Sequence, residues 1–552
     1  MKAIKFIAGL LMVLYMSSCE SIIQETLYVK TEKDAFQTES DALSAITSVY
    51  AQMYTYESIG RYNFQVLEAS GVGFTNIKPQ SDDGAFFWKE NTSTNQMSTH
   101  IWQNFYTIVA YANNVIENVP KMDIDIDVRN SIYGEALYMR GMTYFNLVRM
   151  WGAVPLRLSS TKGFADPGGR DPESNVYEQI INDLTMAGNL LPKTQSLKGR
   201  ATKGAAYGLL AKVYLTAASM KQYSGNYYNR FDFVADANAY YDSARVYCQK
   251  VTDLGVYKLV DDFKKQFPIQ ISLNGTVTPD GFENSTESLF EIQFNRIDKY
   301  LSTDLPMQLI PYNKGGGYTY NDNSWGTYRI TKTLFDDFMT DHPNDYRMDV
   351  TFLGGTTGVL YTYKKGVRQT AVGDTLYVYP YDPRPASNLS ERWPYLAKYQ
   401  DYLAVGSNQH GSNFIYLRYA DVLLMQAEAE NELGDKVNSL NHLNMLMERA
   451  RKADGKARLT PINFSDTLTT DELRIAIWKE RRYELLGEGH QWYDLIRTGQ
   501  YENYLSHYKT HEYDLNPAVE CEMKYYSRNI LFPIPYLEIM MNDKVTQNPG
   551  HV

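Results

Sequence analysis

Hydrophobic positions along the chain follow two textures. Over 39–255 and from 414 onward they recur every three and four residues, the spacing of a helix with one buried face. In YGEALYMRGMTYFNLVRMWGAVPL (133–156), Tyr133, Leu137, Gly141, Tyr144, Leu147, Val148 and Trp151 line such a face. Gly152 and Pro155 end it, because proline cannot continue the ladder. Further helices are predicted over 39–56, 100–119, 174–191, 200–219, 236–254, 415–434, 436–452 and 470–487. Between about 256 and 413 the pattern breaks into short alternating segments, with strands expected at 288–294, 375–381 and 395–403. The stretch 58–99 carries no helical period and reads as a long loop.

A small–small–aromatic pattern repeats at Ala42, Thr47 and Tyr50, at Ala136, Gly141 and Tyr144, and at Ala206, Ala211 and Tyr214. Small side chains at these steps let a second helix approach. Recurrence of one such unit predicts stacked helical hairpins. The expected fold is mainly α: a tetratricopeptide-like helical-hairpin core of about four helix pairs, with an inserted irregular lobe of short strands and long loops. No Pro/Ser-rich linker interrupts 39–552, so one domain is expected, framed by 39–255 and 414–552 with the lobe at about 256–413.

Charge narrows the partners. The 552 residues carry 54 basic and 64 acidic side chains, a formal net charge of −10, and no long basic run. Nucleic acid is excluded as the expected partner, and so is an anionic membrane surface. Tyrosine is abundant at 46 residues, and its flat body with a polar tip suits wet recognition surfaces as well as cores. Residues 1–18 pair Lys2 and Lys5 with the apolar run IAGLLMVLYM and the small Ser17 and Ser18, a secretory signal too short to span a bilayer. Cys19 follows as in a bacterial lipobox, which predicts a lipidated N-terminus and a tether over 19–38. Cys248 and Cys521 are expected to be separate buried residues, though an exported location permits a disulfide.

The most specific text is LRYADVLLMQAEAENELG (417–434), IWKERRYELLGEGHQWYDLIRTGQ (477–500) and LFPIPYLEIMMNDKVTQNPG (531–550). Together with the 133–156 helix and the lipobox-like start, these resemble the SusD/RagB family of Bacteroidetes outer-membrane lipoproteins. The resemblance runs in order over essentially the whole chain and is weakest at 58–99 and 220–410. It implies a surface-exposed, lipid-anchored protein of the outer membrane that binds a glycan, or in some members a peptide. Such a protein hands its ligand to a SusC-like TonB-dependent transporter, without enzymatic activity or cofactor.

Glycans are bound by aromatic rings against sugar C–H faces, with carboxylates, amides and guanidiniums reading the hydroxyls. Two loop tracts offer that chemistry. Asp82 and Asp83 precede Trp88 in SDDGAFFWKE; Tyr312, Tyr318, Tyr320, Asn323 and Trp325 surround three glycines in PYNKGGGYTYNDNSW. The resemblance carries ligand contact to these two regions as regions. Phe86 and Phe87 could equally plug the loop onto the helices, and Trp393 reads as packing at a strand start. Three other constellations carry less. Glu480, Glu484 and Glu488 sit one turn apart, which could suggest a glycoside hydrolase, but the interleaved Arg481 and Arg482 point to a salt-bridge network. His507, His511 and Asp514 lack the glutamate of a zinc helix. Asp123, Asp125 and Asp127 fail as a calcium loop, since Val128 stands where glycine is needed and Gly134 where glutamate is needed; a solvated turn is expected.

Overall fold

The computed structural model describes residues 35–55, 58, 61–76, 86, 91–160, 168–223, 235–267, 283–311, 325–361, 363–364, 367–368, 375–377, 379–380, 393–401, 409–453, 455–515 and 527–551. Residues 1–34, including Cys19, and Cys521 lie outside them.

The first half is an array of antiparallel helices. After α1 (Glu39–Ala51), α2 (Tyr62–Ser70) and strand β1 (Phe74–Asn76) come α3 (Gln96–Asn118), α4 (Ile126–Trp151), α5 (Glu173–Leu190), α6 (Lys203–Tyr223) and α7 (Ala237–Asp253). From α3 onward each packs on the next, and α1 closes one end against α3 and α4. A capping box starts α1: Thr38 accepts from the Asp41 N–H while the Asp41 carboxylate accepts from the Thr38 N–H. Helix α4 is buried on nearly every side, which is why it carries apolar residues beyond one stripe. Gly141 shows the close approach its sequence position predicts, since a side-chain carbon there would lie 3.0 Å from Leu184 Cγ of α5. The buried Arg140 guanidinium is satisfied by Asp183 at 2.7 and 2.8 Å and by Asn113 at 2.9 Å.

The second half opens with strand β2 (Ser288–Ile292), short helix α8 (Leu305–Gln308), strand β3 (Tyr328–Ile330), and helices α9 (Lys332–Asp341) and α10 (Tyr346–Thr351). Small antiparallel ribbons follow, β4 (Val359–Tyr361) with β7 (Thr375–Tyr377) and β5 (Tyr363–Lys364) with β6 (Val367–Arg368). Strand β8 (Phe414–Arg418) pairs antiparallel with β2 and runs directly into α11 (Tyr419–Glu432). Helices α12 (Lys436–Ala450), α13 (Thr470–Glu484), α14 (Gln491–Arg497), α15 (Tyr501–Leu515) and α16 (Tyr536–Met541) complete the chain. Helix α11 packs on α7, α12 and α13, so the returning chain continues the helical array. The 531–550 block comes back to α4, where Trp151 donates its indole N–H to the Pro533 carbonyl at 3.1 Å.

Three expectations change. The stretch 58–99 is not wholly loop, for Phe64, Val66, Leu67 and Ala69 bury one face of α2. The helix expected from 415 begins at Tyr419, because β-branched and aromatic residues in FIYLR pair with β2 first. Residues 395–401 form no regular strand; a single bridge, Phe352 to Leu396, joins them to the end of α10. Asp123 and Asp125 lie exposed in the α3–α4 connection, the solvated turn expected there, and Asp125 also caps α4, accepting from the N–H groups of Asp127 at 2.9 Å and Val128 at 3.1 Å.

Candidate functional site

The two loop tracts singled out for ligand contact are far apart in sequence and share one root. Strand β1 pairs with β3 so that Phe74 faces Ile330, Thr75 faces Arg329 and Asn76 faces Tyr328. Asn76, the last described residue before the first tract, and Tyr328, just after the second, therefore end the ribbon side by side, with backbones about 5 Å apart. The ribbon is fixed from below. Thr331 donates its backbone N–H to Gly73 at 2.9 Å, and Ile330 donates to Pro394 at 2.9 Å. Gly73 admits the Gln491 amide of α14 so closely that a side-chain carbon would lie 2.3 Å from its Oε1. Phe86 is buried and packs on Phe532 at 5.1 Å, so it pins its tract to the C-terminal block as a plug.

Trp325 stands three residues before β3 and is half-buried. Its backbone N–H donates to the Met307 carbonyl of α8 at 3.0 Å. The Arg61 guanidinium lies 5.8 Å from the ring centroid and is itself held by Asp304 at 3.0 Å. Asp304 is almost wholly buried, and burial pushes its carboxyl up while Arg61 pulls it down. An indole backed by a guanidinium presents a ring edge and fixed donors to a ligand, the mixture sugars require.

Just upstream, residues 295–301 close on themselves through Asn295 N–H to the Leu301 carbonyl at 2.7 Å. The Asp298 carboxylate accepts from the Tyr300 N–H at 2.9 Å. Tyr300 is 77 % exposed on this fixed turn, with Lys299 Nζ 4.8 Å from its ring centre. Arg61 does not stand out in sequence, because its partners Asp304 and Trp325 are remote along the chain. Of the residues proposed from sequence, Trp325 is placed here. Asp82, Asp83, Trp88, Tyr312, Tyr318, Tyr320 and Asn323 lie outside the described residues.

The carboxylates that invited a hydrolase reading are in the interior. Glu480, Glu484 and Glu488 are at most 2 % exposed. Arg418 reaches Glu484 at 2.6 Å, Glu488 at 2.7 Å and Glu287 at 2.7 Å, while Arg347 reaches Glu484 at 2.9 Å and also pairs with Glu480. Lys398 holds Glu488 at 2.8 Å, Arg449 pairs with Glu484, and His342 meets Glu480 at 3.0 Å. Burial raises the Glu484 carboxyl, but Arg449, Arg418 and Arg347 outweigh it and hold the group well below the usual range. A general acid needs the opposite shift and an opening to substrate. His507 is exposed and binds Asp337 at 3.1 Å, and no cluster suited to a metal occurs among the described residues. Cys248 is a free, buried thiol, and Trp393 is buried near Lys332.

Comparison with known proteins places these features. The model of the SusD family matches residues 286–551, and a second, described as starch-binding associating with outer membrane, matches 27–215. The chain belongs to the SusD/RagB family. A SusD-like protein of Formosa agariphila is 27 % identical over 99 % of both chains. A SusD-like protein of Bacteroides ovatus is 26 % identical over 84 % of this chain and 77 % of its own. Among solved structures, a SusD homolog from Bacteroides thetaiotaomicron superposes with a TM-score of 0.75 at 23 % identity, covering 94 % of this chain and 99 % of the other. A laminarin-binding SusD-like protein superposes with a TM-score of 0.67 at 22 % identity, covering 94 % and 100 %. These likenesses match the mainly helical frame expected from sequence.

Proposed function

We propose that this SusD-like chain is a cell-surface glycan-binding lipoprotein, anchored in the outer membrane through Cys19. In this reading it captures an oligosaccharide and delivers it to a SusC-like TonB-dependent transporter. The observation that carries the glycan reading is the common root of the two aromatic- and carboxylate-bearing tracts on the β1–β3 ribbon, beside Trp325 and Arg61. Supporting it are the family membership and the description of the matching outer-membrane model. No bond needs to be broken: rings and hydrogen bonds capture the ligand, and moderate affinity lets the transporter take it. The enclosed carboxylates at Glu480, Glu484 and Glu488 support a non-catalytic role.

Calorimetric titration of the purified protein against plant, algal and host oligosaccharides, with a tryptic peptide pool alongside, tests the reading. Laminarin oligosaccharides are the first probe, given the solved relative that binds laminarin. A micromolar-to-millimolar signal with one glycan class and none with peptides is expected. Binding to peptides alone would place the chain with the peptide-capturing members. Glycan cleavage that is lost in Glu484→Gln would make it a hydrolase.

A further inference from the structure

A second cavity lies away from the β1–β3 root, where the α5–α6 loop meets the segment leading into β2. It has a volume of about 230 Å³ and is lined by residues 193–202, Tyr257 and 284–291. Lys193, Leu197 and Lys198 on its rim are exposed, so it opens to solvent.

Its walls are fixed. The Tyr257 ring lies against the backbone of Gly204, where a side-chain carbon would come within 2.1 Å of it. The Tyr257 hydroxyl shares a hydrogen bond with Thr202 Oγ1 at 2.7 Å. Thr202 also accepts from the Ala205 N–H at 3.1 Å, so the positive end of the 21-residue α6 faces this corner. Opposite stands Glu291, buried, with its carboxylate engaged by the Asn284 N–H at 2.9 Å, the Asn413 amide at 3.1 Å and the Ser288 hydroxyl.

The ionisable lining is three cations to one carboxylate: Lys193, Lys198 and Arg200 against Glu291. Arg200 is matched by Glu135 at 3.0 Å, and Glu291 is already bonded. Neither Lys193 nor Lys198 makes a salt bridge among the described residues, in a protein of net charge −10. Lys198 acts on the Glu291 carboxylate through space, but three cations against that one carboxylate, one of them met by Glu135, still leave an excess of positive charge. A cavity with a fixed tyrosine ring, hydroxyl and amide walls and that excess suits a polar ring bearing one negative charge. We infer that this cavity is a second binding site, for an acidic sugar residue whose carboxylate is held by Lys193 and Lys198.

The test is titration of D-glucuronate and D-galacturonate, with D-glucose and D-galactose as neutral partners, into the full chain carrying Trp325→Ala. That substitution weakens the proposed main site, and the lysine variant reads the second cavity alone, so loss of the main reading leaves this result interpretable. The uronates are expected to bind, at least fivefold more weakly in Lys193→Gln/Lys198→Gln and more weakly with added salt. Both lysines are exposed, so the variant is expected to keep the parent melting temperature. Uronates that fail to bind, that bind no better than the neutral sugars, or that are indifferent to the lysine variant would each overturn the inference.

Discussion

Asn76 and Tyr328 face each other as the terminal pair of a two-stranded ribbon, and each borders one of the loops that carry the aromatic and acidic side chains expected to meet a ligand. Separation along the chain is thereby converted into proximity. The ribbon needs few residues because Thr331, Pro394 and Gln491 brace it from below. A braced root lets the loops vary in sequence without loosening the frame, the arrangement expected where function sits on loops.

Arg61 stands between Trp325 and the buried Asp304 carboxylate. Arg61→Ala is expected to weaken glycan binding by about 0.5–2 kcal/mol, and to lower the melting temperature because the buried Asp304 loses its partner. Arg61→Lys should recover only part of this, since an ammonium does not present the planar face of a guanidinium. Calorimetry on the three proteins checks it, and equal affinities would remove Arg61 from the site.

The buried ion network holds the second half together. Removing Arg418 leaves Glu287, Glu484 and Glu488 in the interior without their shared partner. Arg418→Met is expected to cost roughly 3–5 kcal/mol in denaturant unfolding. A cost below about 1 kcal/mol would mean that water or the remaining cations Arg347, Arg449 and Lys398 suffice.

Stability should fall as pH rises from 5 to 8 through Glu68. This residue is buried; burial pushes its carboxyl up to about 8, against the Gly489 N–H and Lys398, which pull it down. The folded form keeps the proton where the unfolded chain has released it, so the contribution is complete below about pH 4.5 and is lost through pH 8. At roughly 1.4 kcal/mol per unit, the rise from 4.5 to about 8 amounts to about 5 kcal/mol. Glu68→Gln should flatten this slope, leaving the part that the raised Glu283 contributes, and should gain on the parent at pH 8 and not at pH 4.5. Parallel pH profiles for the two proteins would refute the assignment.

Helix spacing in the array depends on Gly141. Gly141→Leu drives a branched side chain into Leu184 and Asp183 of α5 and is expected to destabilise by about 1–3 kcal/mol. Chemical denaturation measures it. An unchanged midpoint would show that α4 and α5 can part without loss.

The helical frame was legible because burial imposes a period, and α4, α6 and α11 carry it plainly. Glu480, Glu484 and Glu488 were readable as an ion network because cations alternate with them, although the decisive partners, Arg347 and Arg418, come from elsewhere in the chain. What escaped depends on contacts between distant segments. Helix α2 buries its face under α14 and the 395–401 segment, and β8 is a strand only because β2 lies beside it. Arg61 acquires meaning from Asp304 and Trp325 together. Asp125 was visible as an acidic residue but not as a cap, since capping depends on where the helix begins.

The most direct measurement is a double-mutant cycle of glycan affinity across Trp88→Ala and Trp325→Ala, one from each loop. Each single change is expected to weaken binding by about 1–3 kcal/mol with the fold intact, and the double variant by less than the sum where both rings touch one sugar. Wild-type affinity in either folded single variant would contradict the claim that these two loops form one glycan site.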